Sequence, residues 1–165
     1  MSHRVSLGID SRVESVRFLR AAIRGLCDEA EVPASLISRV ELCVAEAVCN
    51  AIEHAYARQT DRKIWVNWVR HDDTLAIRIS DCGQSMATDL FAMARDIRLE
   101  VDPDDPCSLR GRGRGLALIH AFMTAVDYTS ADGLNHLDMR LAIPQSPQSL
   151  PSCGEDADSP SSGTP

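Results

Sequence analysis

Glu41-Leu42-Cys43-Val44-Ala45-Glu46-Ala47-Val48-Cys49-Asn50-Ala51-Ile52-Glu53-His54-Ala55-Tyr56 is the stretch around which the chain is organised. Apolar or small residues recur at Leu36, Val40, Cys43, Val44, Ala47, Val48, Ala51, Ile52 and Ala55. This is the i, i+3, i+4, i+7 spacing of a buried stripe, so a long helix beginning near Ser35 is predicted. At about 100° per residue, Glu46 and Asn50 lie about 40° apart, nearly opposite the centre of that stripe. A helix docked by its apolar side aims this pair, with Glu53 near it, at a second surface. The amide oxygen can hold a hard cation such as magnesium, and the carboxylate can act as general base on a water or hydroxyl. Standing alone, the pair reads as two solvated residues on an amphipathic helix.

The chain has 165 residues, enough for one domain with a real core and a short appendage. Apolar residues make up 44% and charged residues 25%, the balance of an ordinary globular protein. A net charge of -7 argues against a general nucleic-acid binder, although local basic clusters can still hold phosphate. Cys27, Cys43, Cys49, Cys82, Cys107 and Cys153 show no metal-ligand spacing, and several fall on apolar faces, as reduced core thiols do. There is no secretion-signal pattern at Met1 to Ser6 and no apolar run near the roughly 20 residues of a membrane span, so a cytoplasmic protein is expected.

On the N-terminal side, Val5, Leu7 and Ile9 alternate along a predicted strand over 3–9. A helix is predicted over 12–31, with Val13, Val16, Phe18, Leu19, Ala22, Ile23 and Leu26 apolar and Arg12, Arg17, Arg20 and Arg24 forming a basic ridge. That ridge serves either solubility or the grip of an acidic partner. On the C-terminal side, residues 64–69 and 74–79 form a predicted hairpin turning at His71-Asp72-Asp73. It delivers the chain to Asp81-Cys82-Gly83-Gln84-Ser85. Residues 86–110 are irregular apart from a short helix over 89–97, and a loop this long inside a compact domain is usually a lid or a disordered segment. Arg110-Gly111-Arg112-Gly113-Arg114-Gly115 then opens a helix predicted over 116–126. Strands over 127–130 and 137–143 follow, joined by a turn at Ala131-Asp132-Gly133. Residues 1–143 make the domain; 144–165, rich in Pro, Ser, Gly, Asp and Glu, are expected to be a disordered tail.

Three features thus stand in order: the Glu46/Asn50 helix, a strand ending in Asp81-Cys82-Gly83, and a glycine/arginine loop opening a helix at Gly113-Arg114-Gly115-Leu116. Separately, an Asp at a strand end caps a turn, and Gly83 supplies a positive φ. Together they describe a nucleotide site. Asp81 can accept from an exocyclic amine and so select adenine. Gly113 and Gly115 let backbone amides approach phosphate at a helix N-terminus, and Arg110, Arg112 and Arg114 can neutralise it. Asn50 would hold magnesium, and Glu46 would deprotonate an attacking hydroxyl for in-line phosphoryl transfer.

The order and wording resemble the N, G1 and G2 boxes of the histidine-kinase-like (GHKL, Bergerat-fold) ATPases, and more narrowly the serine kinase/anti-sigma proteins of bacterial partner-switching systems. Glu46 to Tyr56 is similar to their E-x-x-x-N-A-x-x-H-a-Y segment, Asp81-Cys82-Gly83 to their D-x-G box, and Gly113-Arg114-Gly115-Leu116 with Ile119 and Phe122-Met123 to their G-x-G-L/F…I…M segment. Ser85 replaces the second glycine of the D-x-G-x-G pattern, and Thr124 stands where an acidic residue is common. The resemblance implies an α/β (α+β) two-layer sandwich of Bergerat type, with a mixed, mostly antiparallel sheet, helices on one face and an ATP lid. It implies ATP with Mg2+ as cofactors, Glu46 as catalytic base and Asn50 as the metal ligand. Asp81 and Gly83 fall at the adenine, and Arg112, Gly113, Arg114, Gly115 and Leu116 at the phosphates. The implied partner is a STAS-domain anti-anti-sigma protein phosphorylated on serine, competing with a sigma factor for a kinase that is often a homodimer. No nucleic-acid or membrane partner is implied. A binding module that uses ATP to shape a docking surface, with little catalysis, is the alternative.

Overall fold

In a computed structural model the described residues are 2–97 and 114–144. The element order is β1 (His3–Asp10), α1 (Val13–Glu29), α2 (Ala34–Asn50), a π-helical turn (Ala51–Ala55), β2 (Lys63–His71), β3 (Thr74–Asp81), α3 (Thr88–Asp96), α4 (Gly115–Phe122), β4 (Ala125–Ala131) and β5 (Leu134–Ala142). The strands form one sheet in the order β1-β2-β3-β5-β4. Each of the four described pairings is antiparallel, so the mostly antiparallel character implied by the resemblance is complete among the described residues.

Alternation decides which side of the sheet is covered. Ile64, Val66 and Trp68 on β2, Leu75, Ile77 and Ile79 on β3, and Leu137, Met139 and Leu141 on β5 are all buried. They meet Leu19, Ile23 and Cys27 of α1 and Val40, Val44 and Val48 of α2 in one core. The intervening strand residues point the other way and pair across strands, as Arg78 does with Asp138 (2.7 Å) and Arg140 with Asp127 (2.8 Å). Two layers follow from this single alternation: helices on one face, a polar ladder on the other.

The connections are tight. Asp72 and Asp73 alone link β2 to β3, since His71 and Thr74 are partners in register. Asp132 (φ 54°) and Gly133 (φ 75°) form the two-residue turn of the β4–β5 hairpin, both in the left-handed region such turns require. After α1, Glu31 at φ 53° lets the Val32 amide reach back to the Cys27 carbonyl (2.9 Å), and Pro33 prevents the helix from continuing.

Two boundaries and one face differ from the sequence reading. The helix predicted over 116–126 ends at Phe122, because Met123 turns extended and Thr124 already donates to the Arg140 carbonyl (2.8 Å); Val126 belongs to β4, opposite Met139. β5 begins at Leu134, three residues before the predicted strand. On α1 the buried stripe is Val16, Leu19, Ile23 and Cys27; Val13 and Phe18 are exposed, and the Arg17 guanidinium lies over the Phe18 ring at 4.6 Å. Arg24 leaves the basic ridge to form a two-pronged pair with the carboxylate of Glu41, a buried residue of α2. Cys27 and Cys43 are buried thiols, pushed by burial up to about 11 and about 12, as core cysteines are; Cys49 is half-buried and Cys82 exposed. Among the described residues no helix is long and apolar enough to cross a membrane. The arginine/glycine loop through Gly113, the lid expected before it and the tail from residue 145 lie outside the described residues.

Candidate functional site

Helix α2 carries its apolar stripe into the core through Val40, Val44, Ala47 and Val48, which leaves Glu46 and Asn50 half-buried on its other side. What they meet is the first residue of α4. A Cβ on Gly115 would stand 2.6 Å from Oε2 of Glu46 and 3.5 Å from both polar ends of the Asn50 carboxamide. A side chain there would have to displace the Glu46 carboxylate, so glycine lets the N-terminus of α4, with its positive dipole end, lie against a carboxylate and a carboxamide. Burial, and then the charge of Glu53, raises Glu46 above the ordinary carboxylate range. Nδ2 of Asn50 is buried with no hydrogen-bond partner among the described residues. A buried orphan donor of this kind is costly, and it has no structural purpose in the helix.

Beyond Asn50 the helix widens. The Tyr56 amide bonds to the Ala51 carbonyl (2.9 Å), the five-residue spacing of a π turn, a feature common at functional sites. In this wider turn Glu53, His54 and Ala55 all line a cavity of about 680 Å³. The same turn is bolted to the end of β3. Gln84 donates to the Ala55 carbonyl (2.8 Å), while Tyr56 donates its hydroxyl hydrogen to the Lys63 carbonyl (2.7 Å) and accepts from the Cys82 amide (2.8 Å). Gly83 sits so close that any Cβ there would collide with the Ala55 carbonyl. Gly83 is therefore required for close approach; the left-handed conformation proposed from sequence does not occur there.

Asp81, at the C-terminal end of β3, is buried and lines the same cavity. Its Oδ1 accepts from the Gly83 amide (2.9 Å) and from Nδ2 of Asn135 (2.7 Å). Ile79 and Leu137 supply apolar wall from the sheet, and Leu90 and Met93 supply it from α3. Helix α3 is held by Phe91, whose ring lies 5.0 Å from His120 of α4 and 5.9 Å from Tyr128 of β4. Tyr128 in turn accepts from the Met86 amide (2.8 Å).

Of the residues singled out by sequence, Asn50, Asp81, Gly115 and Leu116 line one cavity, and Glu46 stands at Gly115 beside it. Gly83 braces its edge, and Arg114 is the residue immediately before α4. Arg112 and Gly113 lie outside the described residues. Sequence reasoning missed Asn135 and Tyr128, because both precede or interrupt the apolar alternation that marks their strands. Asn135 had a usable signal: it continues the inward i, i+2 series of Leu137, Met139 and Leu141.

The profile of the histidine kinase-like ATPase domain family matches residues 9–141, most of the chain. The chain belongs to this family. It is 27% identical over 135 residues to the serine-protein kinase RsbW of Listeria monocytogenes, covering 82% of this chain and 85% of that protein. It is 28% identical over 131 residues to the anti-sigma F factor of Oceanobacillus iheyensis, covering 79% and 86%. Among solved structures, the RsbU and RsbW domains of Rv1364c from Mycobacterium tuberculosis superpose with a TM-score of 0.62 at 18% identity, over 87% of this chain and 33% of that longer one. The SiaB–SiaC complex of Pseudomonas aeruginosa gives 0.54 at 17% identity, over 83% and 89%. These two superpositions bear on the fold, which they share.

Proposed function

We propose that the chain is an ATP- and magnesium-dependent serine protein kinase, a regulatory switch that phosphorylates a STAS-domain partner. The observation that carries it is the contact of Gly115 with Glu46 and Asn50, in a cavity that also reaches Asp81. On this reading the end of α4 binds phosphate, Glu46 is the base and Asn50 the cation ligand at one side of the cavity, and Asp81 is the acceptor for an amine at the other. Asp81 accepts the hydrogen bond of an exocyclic amine, and the apolar side chains of Ile79, Leu137 and Leu90 enclose the flat base. Gly115 and Leu116 present backbone amides to phosphate, and the sequence assigns Arg112, Gly113 and Arg114 to the same phosphates. Asn50 offers its carboxamide oxygen to magnesium. One carboxamide beside one carboxylate is a sparse donor set, and it suits a cation that arrives already held by phosphates and water. Among the described residues no cluster of three or more His, Cys, Asp or Glu competes for it. The chemistry a magnesium ion would supply there, when bound, is neutralisation of phosphate charge. Glu46, raised by burial toward the pH at which proteins work, takes the proton of the attacking serine hydroxyl and orients its oxygen in line.

The relatives named as serine-protein kinases and as an anti-sigma factor support this reading. Competition of a sigma factor with the unphosphorylated STAS protein, homodimer formation and a cytoplasmic location belong to the same proposal. Incubating the protein with ATP, magnesium and a STAS domain from the same cell should yield one phosphoserine on the STAS protein, read by mass spectrometry. Saturable ATP binding and complex formation without phosphoserine would instead favour a binding module that uses ATP to shape its surface.

A further inference from the structure

Asn135 is 2% exposed, on β5, directly opposite Asp81 in the β3–β5 register. A buried carboxamide at the end of a strand needs partners for its amide hydrogens. Nδ2 lies 2.7 Å from Oδ1 of Asp81, 3.1 Å from the Gly83 carbonyl and 3.5 Å from the Gln84 carbonyl. Oδ1 also receives the Gly83 amide, so two donors meet on one oxygen of Asp81. The β3 end and the loop after it are thus knitted on both sides: their donors go to Asp81 and Ala55, and their acceptors to Asn135.

We infer that Asn135 is the positioning residue for base recognition: by occupying Oδ1 of Asp81 it turns Oδ2 to the cavity and so sets the preference for an amino group on the base. The inference rests on the reading of Asp81 as the adenine acceptor and adds what makes that acceptor one-sided. Adenine offers an N–H donor at its six position, which a fixed carboxylate oxygen accepts. Guanine offers a carbonyl oxygen there, which the same oxygen repels. Without Asn135 the Asp81 carboxylate is held by the Gly83 amide alone and turns more freely about χ2, and the loop carbonyls lose their donor. Discrimination at the six position then relaxes, while the phosphate end, formed by α2 and α4, is untouched.

The experiment titrates ATP and purine riboside triphosphate, which lacks the six-amino group, into wild type, Asn135→Val and Asn135→Thr. Val and Thr have nearly the same volume, and only Thr can donate to Asp81. Wild type should bind ATP more tightly than the analogue. Asn135→Val should weaken ATP about tenfold, the order of one lost hydrogen-bonded recognition contact, and leave the analogue within about twofold. Asn135→Thr should recover most of the ATP affinity. Equal loss of both nucleotides in Val and Thr, whether by misfolding or by a collapsed loop, overturns the inference and makes Asn135 a structural clasp only. Unchanged ATP affinity in Asn135→Val also overturns it. A wild type that binds both nucleotides equally shows that Asp81 does not read the amine, and the inference falls together with that parent reading.

Discussion

The two faces of the sheet handle polar side chains in opposite ways. On the open face, Ser6 donates to Asn67 (2.6 Å), Arg78 grips Asp138, and Arg140 grips Asp127, all at the surface. Each pair exchanges water for a neighbour with little net gain. At the cavity end of the covered face, Asp81 and Asn135 are buried, and each is fixed by more than one partner. Glu46 is half-buried against a glycine and raised from its ordinary range by burial and the charge of Glu53. The first arrangement is interchangeable decoration. The second is held in place at a cost, which is the mark of a site.

Substitutions that break this contrast should scale accordingly. The largest effect is expected for Glu46→Gln, which keeps shape and removes the base; the rate of phosphoryl transfer should fall about 10²- to 10⁴-fold. Gly83→Ala comes next. Its methyl group has only the Ala55 backbone to push against, so the π turn and the β3 end must separate, with ATP affinity falling at least about tenfold while the melting temperature drops by several degrees. Arg24→Ala strips a half-exposed partner from the buried Glu41 carboxylate, and about 1–2 kcal/mol of stability should be lost in denaturant melts, with ATP affinity retained. Arg140→Ala, on the open face, should cost no more than about 0.5 kcal/mol and leave binding and transfer unchanged. If Arg140→Ala weakened nucleotide binding as much as Gly83→Ala does, the contrast between the faces would be wrong.

The raised carboxyl of Glu46 also ties activity and stability to pH in opposite directions. A base works deprotonated, so the transfer rate should climb as pH rises through the raised value. For stability, the folded state holds this proton more tightly than the unfolded chain, whose carboxyl titrates in the ordinary range near 4.5. The folded state is therefore favoured below that range and loses that advantage as pH rises through the raised value. Glu46→Gln should accordingly raise the melting temperature at neutral pH, and the gain should vanish in acid. Equal gains at both pH values would show that the Glu46 charge carries no such cost.

Much of this site was legible in the sequence because it rests on helix periodicity and strand alternation. The i, i+3, i+4 stripe from Leu36 to Ala55 placed Glu46 and Asn50 off the core, and α2 presents them so. The alternation of Thr74 to Ile79 delivered Asp81 to a strand end. What escaped depends on where two segments touch. The reason for Gly83 is the Ala55 carbonyl, 28 positions earlier, and no local pattern reports it. Glu41 looked like an ordinary helix-face residue until α1 placed Arg24 beside it. The π turn inserts a residue into a helix whose composition reads as regular, so the sequence puts Glu53 beside the Glu46/Asn50 pair but gives no sign of the widened turn that lets Glu53, His54 and Ala55 all line the cavity. Phe18 shows the converse: an apolar residue near the stripe, yet exposed, because the adjacent Leu19 takes the inward position.

The central claim is that the carboxylate held against Gly115 performs the proton transfer of a kinase. Single-turnover phosphorylation of the STAS serine by ATP-saturated wild type and Glu46→Gln tests it most directly, with ATP affinity measured on the same samples. The account predicts unchanged or tighter ATP binding and at least about a hundredfold slower transfer in the variant. Transfer at the wild-type rate by a Glu46→Gln protein that binds ATP normally would contradict it.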